Sequence, residues 1–137
     1  MTRARGRAAV ALLALAGVAI ASYLSVSRAT ATPLMCPTSG CGKVQQSSYS
    51  ELAGIPVAYL GVAGYVLILG TTASARRFAA AAGVALAVLG TAFALYLLVV
   101  QVAVIDAVCV WCVSSDVVLV AILGLSVARI RRGDTLP

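Results

Sequence analysis

Residues 78–101 read FAAAAGVALAVLGTAFALYLLVVQ, a run without a charged side chain. The hydrocarbon core of a bilayer is about 30 Å thick, and about 20 helical residues cross it. This run is therefore long enough to span a membrane as one helix. Three further stretches pass the same test, at 8–27, 56–75 and 108–128.

The whole chain has the composition of a membrane protein. Of its 137 residues, 62% are hydrophobic and 10% are charged, and the mean hydropathy is +1.06. These values exclude an ordinary soluble domain and predict an all-α integral membrane four-helix bundle, a single domain over 1–137 that contacts lipid. The net charge of +6 does not indicate nucleic acid, because the basic residues form short clusters between apolar stretches.

The basic residues predict the orientation of the four spans. Most lie on one side, namely Arg3, Arg5, Arg7, Arg76, Arg77, Arg129, Arg131 and Arg132, whereas the other side has Arg28 and Lys43. The positive-inside rule then places both termini in the cytoplasm and segments 29–55 and 102–107 outside the cell membrane. The first span also resembles a signal peptide with a cleavage site at 29–31, but its apolar run exceeds a usual signal core, which favours a retained helix.

Four cysteines are the candidate reactive groups, since the chain has no histidine to act as a general base or metal ligand. Cys109 and Cys112 form a Cys-x-x-Cys at the outer end of the fourth span, where residues three apart share one helix face. The helix dipole and unpaired N–H groups there stabilise a thiolate, the reactive form in disulfide exchange. This spacing is typical of a redox pair.

Cys36 and Cys41 form a second pair in segment 29–55, where the turn-forming residues between them can bring the sulfurs together. The predicted topology places both pairs in one extracytoplasmic compartment, where disulfides persist. The same segment has room for a short helix from about Val44 to Leu52, in which Ser48 and Glu51 match a capping box.

Other readings of the cysteines remain open. Two structural disulfides in a protein of another function would explain the pairing, and a four-cysteine zinc site has plausible spacing. A zinc site at a membrane edge without histidine is unusual, so no metal is predicted. Haem attachment is excluded because Val113 stands where that motif requires histidine.

Asp116 is a third kind of candidate, an acidic residue within a predicted span. It follows Cys112 by four residues and therefore shares its helix face, about one turn deeper in the bilayer. Carboxyl groups inside a membrane are costly and are often functional. Asp116 is either a structural partner for Ser or Tyr groups on neighbouring helices or a proton donor.

The chain resembles the vitamin K epoxide reductase family in its short bacterial form, which lacks a fused thioredoxin domain. The matching pieces are Cys36 and Cys41, Val44-x-x-Ser47-x-Tyr49, Gly54-Ile55-Pro56, Leu60-Gly61, and Cys109-Val110-Trp111-Cys112. They extend from Cys36 to about Ser115. Each piece alone is weak, whereas their combination is specific.

The resemblance implies a bundle surrounding a quinone of the menaquinone or ubiquinone class, in a thiol oxidoreductase that supports disulfide bond formation. By position, Cys112 would lie nearest the quinone with Cys109 as its partner. Cys41 and Cys36 would carry electrons from an extracytoplasmic thioredoxin-fold (DsbA-like) protein. Ser47 matches a family serine near the quinone. Asp116 stands where the family often has an aromatic or small residue, and it is a further candidate quinone contact.

Two rival interpretations differ from this one in testable ways. The other four-span, quinone-linked thiol oxidases, of the DsbB type, carry their Cys-x-x-Cys in the first outer loop, which is the reverse of the order seen here. A small transport or structural membrane protein with incidental disulfides is the alternative from another class. Its disulfides would not cycle when a reduced partner is added.

Overall fold

A computed structural model describes residues 3–31, 35–36, 40–133 and 135. In chain order its elements are α1 (Arg3–Ala29), α2 (Gly40–Gln45), a 3-10 turn (Ser48–Ser50), β1 (Glu51–Leu52), β2 (Ile55–Pro56), α3 (Val57–Thr71), α4 (Arg77–Val100), a π-helical turn (Gln101–Ile105) and α5 (Val110–Arg131). The two short strands form an antiparallel hairpin in which Leu52 pairs with Ile55. The described chain is otherwise helical, which confirms the all-α class.

Four helices form the membrane bundle, and α3 is its short member. The helices long and apolar enough to cross a membrane, among the described residues, are Arg3–Ala29, Arg77–Ile105 and Val110–Arg131. α3 is equally apolar but has 15 residues, which extend about 22 Å. The sequence predicts a span to residue 75, yet the helix ends at Thr71. The hydroxyls of Thr71 and Thr72 donate to main-chain carbonyls of the last turn, at 2.6 and 2.7 Å, and the chain leaves the helix there.

Small residues on α1 allow the bundle to close around an aromatic side chain. Tyr65 of α3 is 2% exposed and belongs to the main apolar cluster, together with Ala14 and Ala21 of α1. A Cβ at Gly17 would overlap the Tyr65 ring, so the approach of the two helices requires glycine at this position. Close contact of this kind is how helices associate in lipid, where water does not drive them together.

The arginine-rich ends of the helices meet at one end of the bundle. Arg7 of α1 donates two hydrogen bonds to the carbonyl oxygen of Thr72, at 3.0 and 2.7 Å, and so caps the end of α3. Arg129 of α5 is 3% exposed, and its side chain lies against Gly6 of α1. The basic clusters that the sequence predicts to share one side therefore lie together.

The segment at the opposite end of the bundle does not form one helix from Val44 to Leu52, so that prediction is wrong. The chain forms α2 and a 3-10 turn here, followed by the hairpin. The Ser47 and Ser50 hydroxyls donate to main-chain carbonyls at 2.7–2.8 Å, which competes with helix formation. The capping box is also wrong, because the carboxylate of Glu51 pairs with Arg28 at 2.5 Å instead.

Candidate active site

Cys109 and Cys112 lie at the start of α5. Cys109 is the N-cap residue of this helix, and its sulfur accepts a hydrogen bond from the main-chain N–H of Cys112 at 3.3 Å. Both cysteines are free thiols. A cysteine at this position takes the place of the Ser or Asp that usually caps a helix, and the donor stabilises negative charge on its sulfur.

Gln101 holds Cys109 in place. Its side-chain Oε1 accepts from the main-chain N–H of Cys109 at 2.8 Å, and its main-chain oxygen accepts from Ala107 at 3.0 Å. The turn between them includes Asp106, which has a positive φ of 57°. Gln101 is 3% exposed. The two hydrogen bonds therefore fix the path from α4 into the cysteine-bearing end of α5.

The second cysteine pair is a disulfide that packs against the first pair. Cys36 and Cys41 are bonded, with their Cα atoms 6.4 Å apart. Cys41 is 1% exposed and Cys109 is 0% exposed, and both belong to one buried cluster against which Cys36 and Cys112 pack. The predicted turn at 37–39 lies outside the described residues. All four cysteines thus meet at one end of the bundle.

Two contacts hold the disulfide segment against α5. A Cβ at Gly40 would overlap the main-chain oxygen of Val108, so α2 approaches the chain before Cys109 more closely than a side chain allows. Met35, next to Cys36, is held on both sides by aromatic residues. Its N–H donates to the Tyr23 hydroxyl at 3.0 Å, and its carbonyl accepts from the Trp111 indole at 2.8 Å.

The surroundings of Cys109 favour its thiolate. A hydrogen bond with the Cys112 thiol is the largest influence and lowers the pKa of Cys109; the main-chain N–H groups of Cys112 and Trp111 act in the same direction. Burial and the carboxyl group of Asp116 oppose them, but the net pKa is below the ordinary value. This agrees with the thiolate predicted from the position of the Cys-x-x-Cys at the start of a helix.

We expect the thiolate of Cys109 to persist to lower pH than that of an ordinary cysteine. A lowered pKa means that protonation, and loss of the thiolate, occurs only after further acidification. The ultraviolet absorbance of the thiolate, titrated against pH in protein with the Cys36–Cys41 disulfide intact, measures this directly. Cys109→Ala provides the baseline. A midpoint at or above that of free cysteine would contradict the prediction.

A mainly apolar cavity of about 200 Å³ lies beside Cys112. Its wall includes residues from the outer segment and from the four helices of the bundle, α1, α3, α4 and α5. Most of its surface is aliphatic or glycine. Polar groups in the wall are few: Gln45, Ser47, Tyr49, Ser50, Tyr65, Gln101, Ser115 and Asp116. The structure thus brings three of the sequence-predicted residues, Ser47, Cys112 and Asp116, to one cavity.

Two polar atoms of the cavity residues are buried without a hydrogen-bond partner among the described residues. They are Oδ2 of Asp116 and Nε2 of Gln45. By contrast, the Tyr65 hydroxyl is satisfied by Ser115, with its main-chain oxygen at 2.9 Å and its hydroxyl at 2.7 Å. Buried polar atoms are nearly always paired, so these two atoms have unused hydrogen-bonding capacity.

Sequence reasoning missed Gln45, Tyr65 and Gln101. A signal existed for two of them, since Tyr65 and Gln101 are polar residues within or at the end of predicted spans, where polar groups require partners. Gln45 had no such signal. It lies in a polar outer segment, and only the fold shows that its side chain lines the cavity.

The comparison with protein families agrees with this arrangement. The model of the vitamin K epoxide reductase family matches residues 8–127, a range that contains both cysteine pairs and the whole cavity wall. The match covers far more than half of the chain. The resemblance inferred from the short motifs is therefore confirmed, and the chain belongs to the vitamin K epoxide reductase family of membrane oxidoreductases.

Proposed function

We propose that this oxidoreductase takes electrons from the thiols of an extracytoplasmic thioredoxin-fold protein and passes them to a quinone, supporting disulfide bond formation. One observation carries the proposal: the buried half of the Cys36–Cys41 disulfide packs against Cys109, whose partner Cys112 lines an apolar cavity. The four sulfurs thus form a path from a partly exposed cysteine to a ligand-sized space.

Disulfide exchange along this path balances in electrons and protons. A partner thiolate attacks Cys36 and releases Cys41 as a thiolate, and the second thiol of the partner then frees Cys36 and leaves the partner oxidised. Cys41 attacks Cys109 in the Cys109–Cys112 disulfide and releases Cys112 as a thiolate. Cys36 then attacks Cys41, which restores the loop disulfide and leaves Cys109 and Cys112 reduced. This is the oxidation state that the structure has.

The final step returns Cys109 and Cys112 to a disulfide. A bound quinone would supply the oxidising power, accepting two electrons and two protons to become a hydroquinone. The Cys112 sulfur lies in the cavity wall, and Cys109 closes the disulfide behind it. Ser47 also lines the cavity, where its hydroxyl donates to the main-chain oxygen of Val44 at 2.8 Å and so shapes the wall.

The residues of the cavity fit a quinone ring. Pockets that enclose a whole drug-sized molecule have volumes of roughly 300–1,000 Å³, so 200 Å³ suits a ring better than a ring with its tail. The apolar wall matches the faces of the ring. The Gln45 amide Nε2 can donate to a ring oxygen, and the Asp116 carboxyl group can do so through its O–H when it is protonated; neither Nε2 nor Oδ2 has a partner among the described residues.

The proposed function predicts that purified protein oxidises a reduced thioredoxin-fold protein catalytically only when a quinone is added. The measurement follows thiol loss in the partner and hydroquinone formation in parallel, and the two should agree mole for mole per pair of thiols. A transport or structural protein with incidental disulfides would leave the partner reduced, and that result would refute the proposal.

We further propose that the cysteine end of the bundle is extracytoplasmic and both termini are cytoplasmic, on the basis of the clustered arginines. After mild reduction, a membrane-impermeant maleimide added to intact cells should label Cys36, which is more exposed than Cys41. Labelling that appeared only after permeabilisation would reverse the orientation. Cys36→Ala serves as the control for the labelled site.

Asp116→Asn should slow quinone reduction by about a hundredfold, the scale of a lost general acid, while the protein still folds. An amide has nearly the same shape as a carboxyl group but cannot deliver a proton. The rate of hydroquinone formation under saturating partner measures the effect, and Asp106→Asn, outside the cavity wall, is the matched control. Equal rates for parent and Asp116→Asn would leave Asp116 a structural residue.

A further inference from the structure

Gln45 is the last residue of α2, and its main chain is held at two points. Its carbonyl oxygen accepts from the Arg28 guanidinium and, at 2.7 Å, from the Ser50 hydroxyl. Arg28 also donates to Ser50 and to Glu51, so α1 ties this part of the outer segment to the bundle. The position of Gln45 at the cavity is therefore fixed by contacts that do not involve its side chain.

Gln45 lines the cavity, and its side chain has an unused donor. Its Nε2 atom is buried and has no hydrogen-bond partner among the described residues. A buried N–H group without a partner destabilises the folded protein. Gln46, the next residue, is exposed and does not line the cavity. The cost at Gln45 is explained if a ligand supplies the acceptor.

Except for Tyr49, which is 41% exposed, the nearby hydroxyl groups of the wall already have hydrogen-bond partners. Ser47 donates to the Val44 carbonyl at 2.8 Å, and Ser50 donates to main-chain carbonyls at 2.7 Å. The Tyr65 hydroxyl is bonded to Ser115. A ligand acceptor would have to break one of these bonds to use a hydroxyl, whereas the Gln45 amide requires no such exchange.

We propose that the Gln45 side-chain amide donates a hydrogen bond to a ring carbonyl oxygen of the bound quinone and so orients the ring against Cys112. This inference rests on the proposed function and names a binding residue for it. The quinone carbonyl gains negative charge as electrons arrive, and a fixed donor stabilises that charge more strongly than the starting carbonyl. Gln45 is thus a determinant of both quinone binding and electron acceptance.

The test compares Gln45→Met with Gln46→Met, the same change one residue along the chain. The probe is 2-methyl-1,4-naphthoquinone, titrated by equilibrium dialysis into detergent-purified protein in which both cysteine pairs are oxidised, so that the probe is bound but not reduced. Loss of one hydrogen bond is worth about 0.5–1.5 kcal/mol, so we expect Gln45→Met to bind about three- to tenfold more weakly. Gln46→Met should bind like the parent.

A second readout is independent of affinity. In infrared difference spectra, a carbonyl stretching band of the bound quinone should lie below its free frequency in the parent and return towards it in Gln45→Met. Methylnaphthalene, which lacks the carbonyl groups, should bind parent and variant equally. If Gln45→Met does not fold, Gln45→Glu keeps the side-chain length but replaces the donor with an acceptor, and should weaken naphthoquinone binding at neutral pH.

Two outcomes would contradict this inference, and they can be distinguished from each other. Naphthoquinone that binds Gln45→Met as tightly as the parent, with unchanged carbonyl bands, would refute the role of Gln45 and leave the proposed function standing. A parent protein that binds no quinone would refute the proposed function, and this inference with it.

Discussion

Cys112→Ala should abolish quinone reduction, with a loss on the order of a thousandfold or more, as for removal of a nucleophile that acts within a unit. Cys112 is the cysteine of the pair that lines the cavity. Without it, Cys109 is a lone thiol that cannot deliver two electrons and close a disulfide behind them. Stopped-flow absorbance of hydroquinone formation, after mixing reduced protein with quinone, measures the step in isolation.

The matched control for Cys112→Ala is Ser114→Ala, which lies in the same helical turn. Ser114 does not line the cavity, and its hydroxyl donates to the main-chain oxygen of Val110 within the helix at 2.9 Å. It should keep the parental rate. Cys109→Ala should be as inactive as Cys112→Ala, since each thiol needs the other. Parental turnover in Cys112→Ala would refute the relay.

The bundle and the closeness of Cys109, Cys112 and Asp116 could be predicted from sequence because both depend on local patterns. An apolar run long enough to cross a bilayer can form few structures other than a helix. The Cys-x-x-Cys spacing places Cys109 and Cys112 close together at the start of one helix. Asp116 follows by another four residues, and the cavity wall contains both Cys112 and Asp116.

The outer segment could not be predicted because its shape depends on residues distant in sequence. Arg28 binds the carbonyl of Gln45 and the side chains of Ser50 and Glu51, 17 to 23 residues away. These contacts, with the serine hydroxyls, outweigh the weak local preference for a helix. The cavity role of Gln45 follows from the same contacts, so no pattern in the sequence indicates it.

The two cysteines of the loop disulfide differ in exposure, and this difference supports an order for the proposed relay. Cys41 is the second residue of α2 and is 1% exposed, packed with Cys109 and Val44. Cys36 is partly exposed, beside Met35, whose side chain is 82% exposed. An external thiolate therefore reaches Cys36 more readily, and the leaving Cys41 thiolate is released next to its own target. Burial therefore supports Cys36 as the cysteine that meets the partner.

Cys41→Ala should accumulate a mixed disulfide between Cys36 and the thioredoxin-fold partner. The partner is used as a variant with a single active-site cysteine, held as a mixed disulfide with a small thiol. The free Cys36 thiolate displaces the small thiol, and neither a loop cysteine nor a second partner thiol remains to break the new bond. A non-reducing gel should show a covalent adduct of about the combined mass. The adduct should vanish with reductant and be absent from the Cys36→Ala, Cys41→Ala double variant.

In Cys36→Ala, Cys41 is shielded by α2 and α5, so the adduct should form slowly. Ready adduct formation through Cys41 would exchange the two roles.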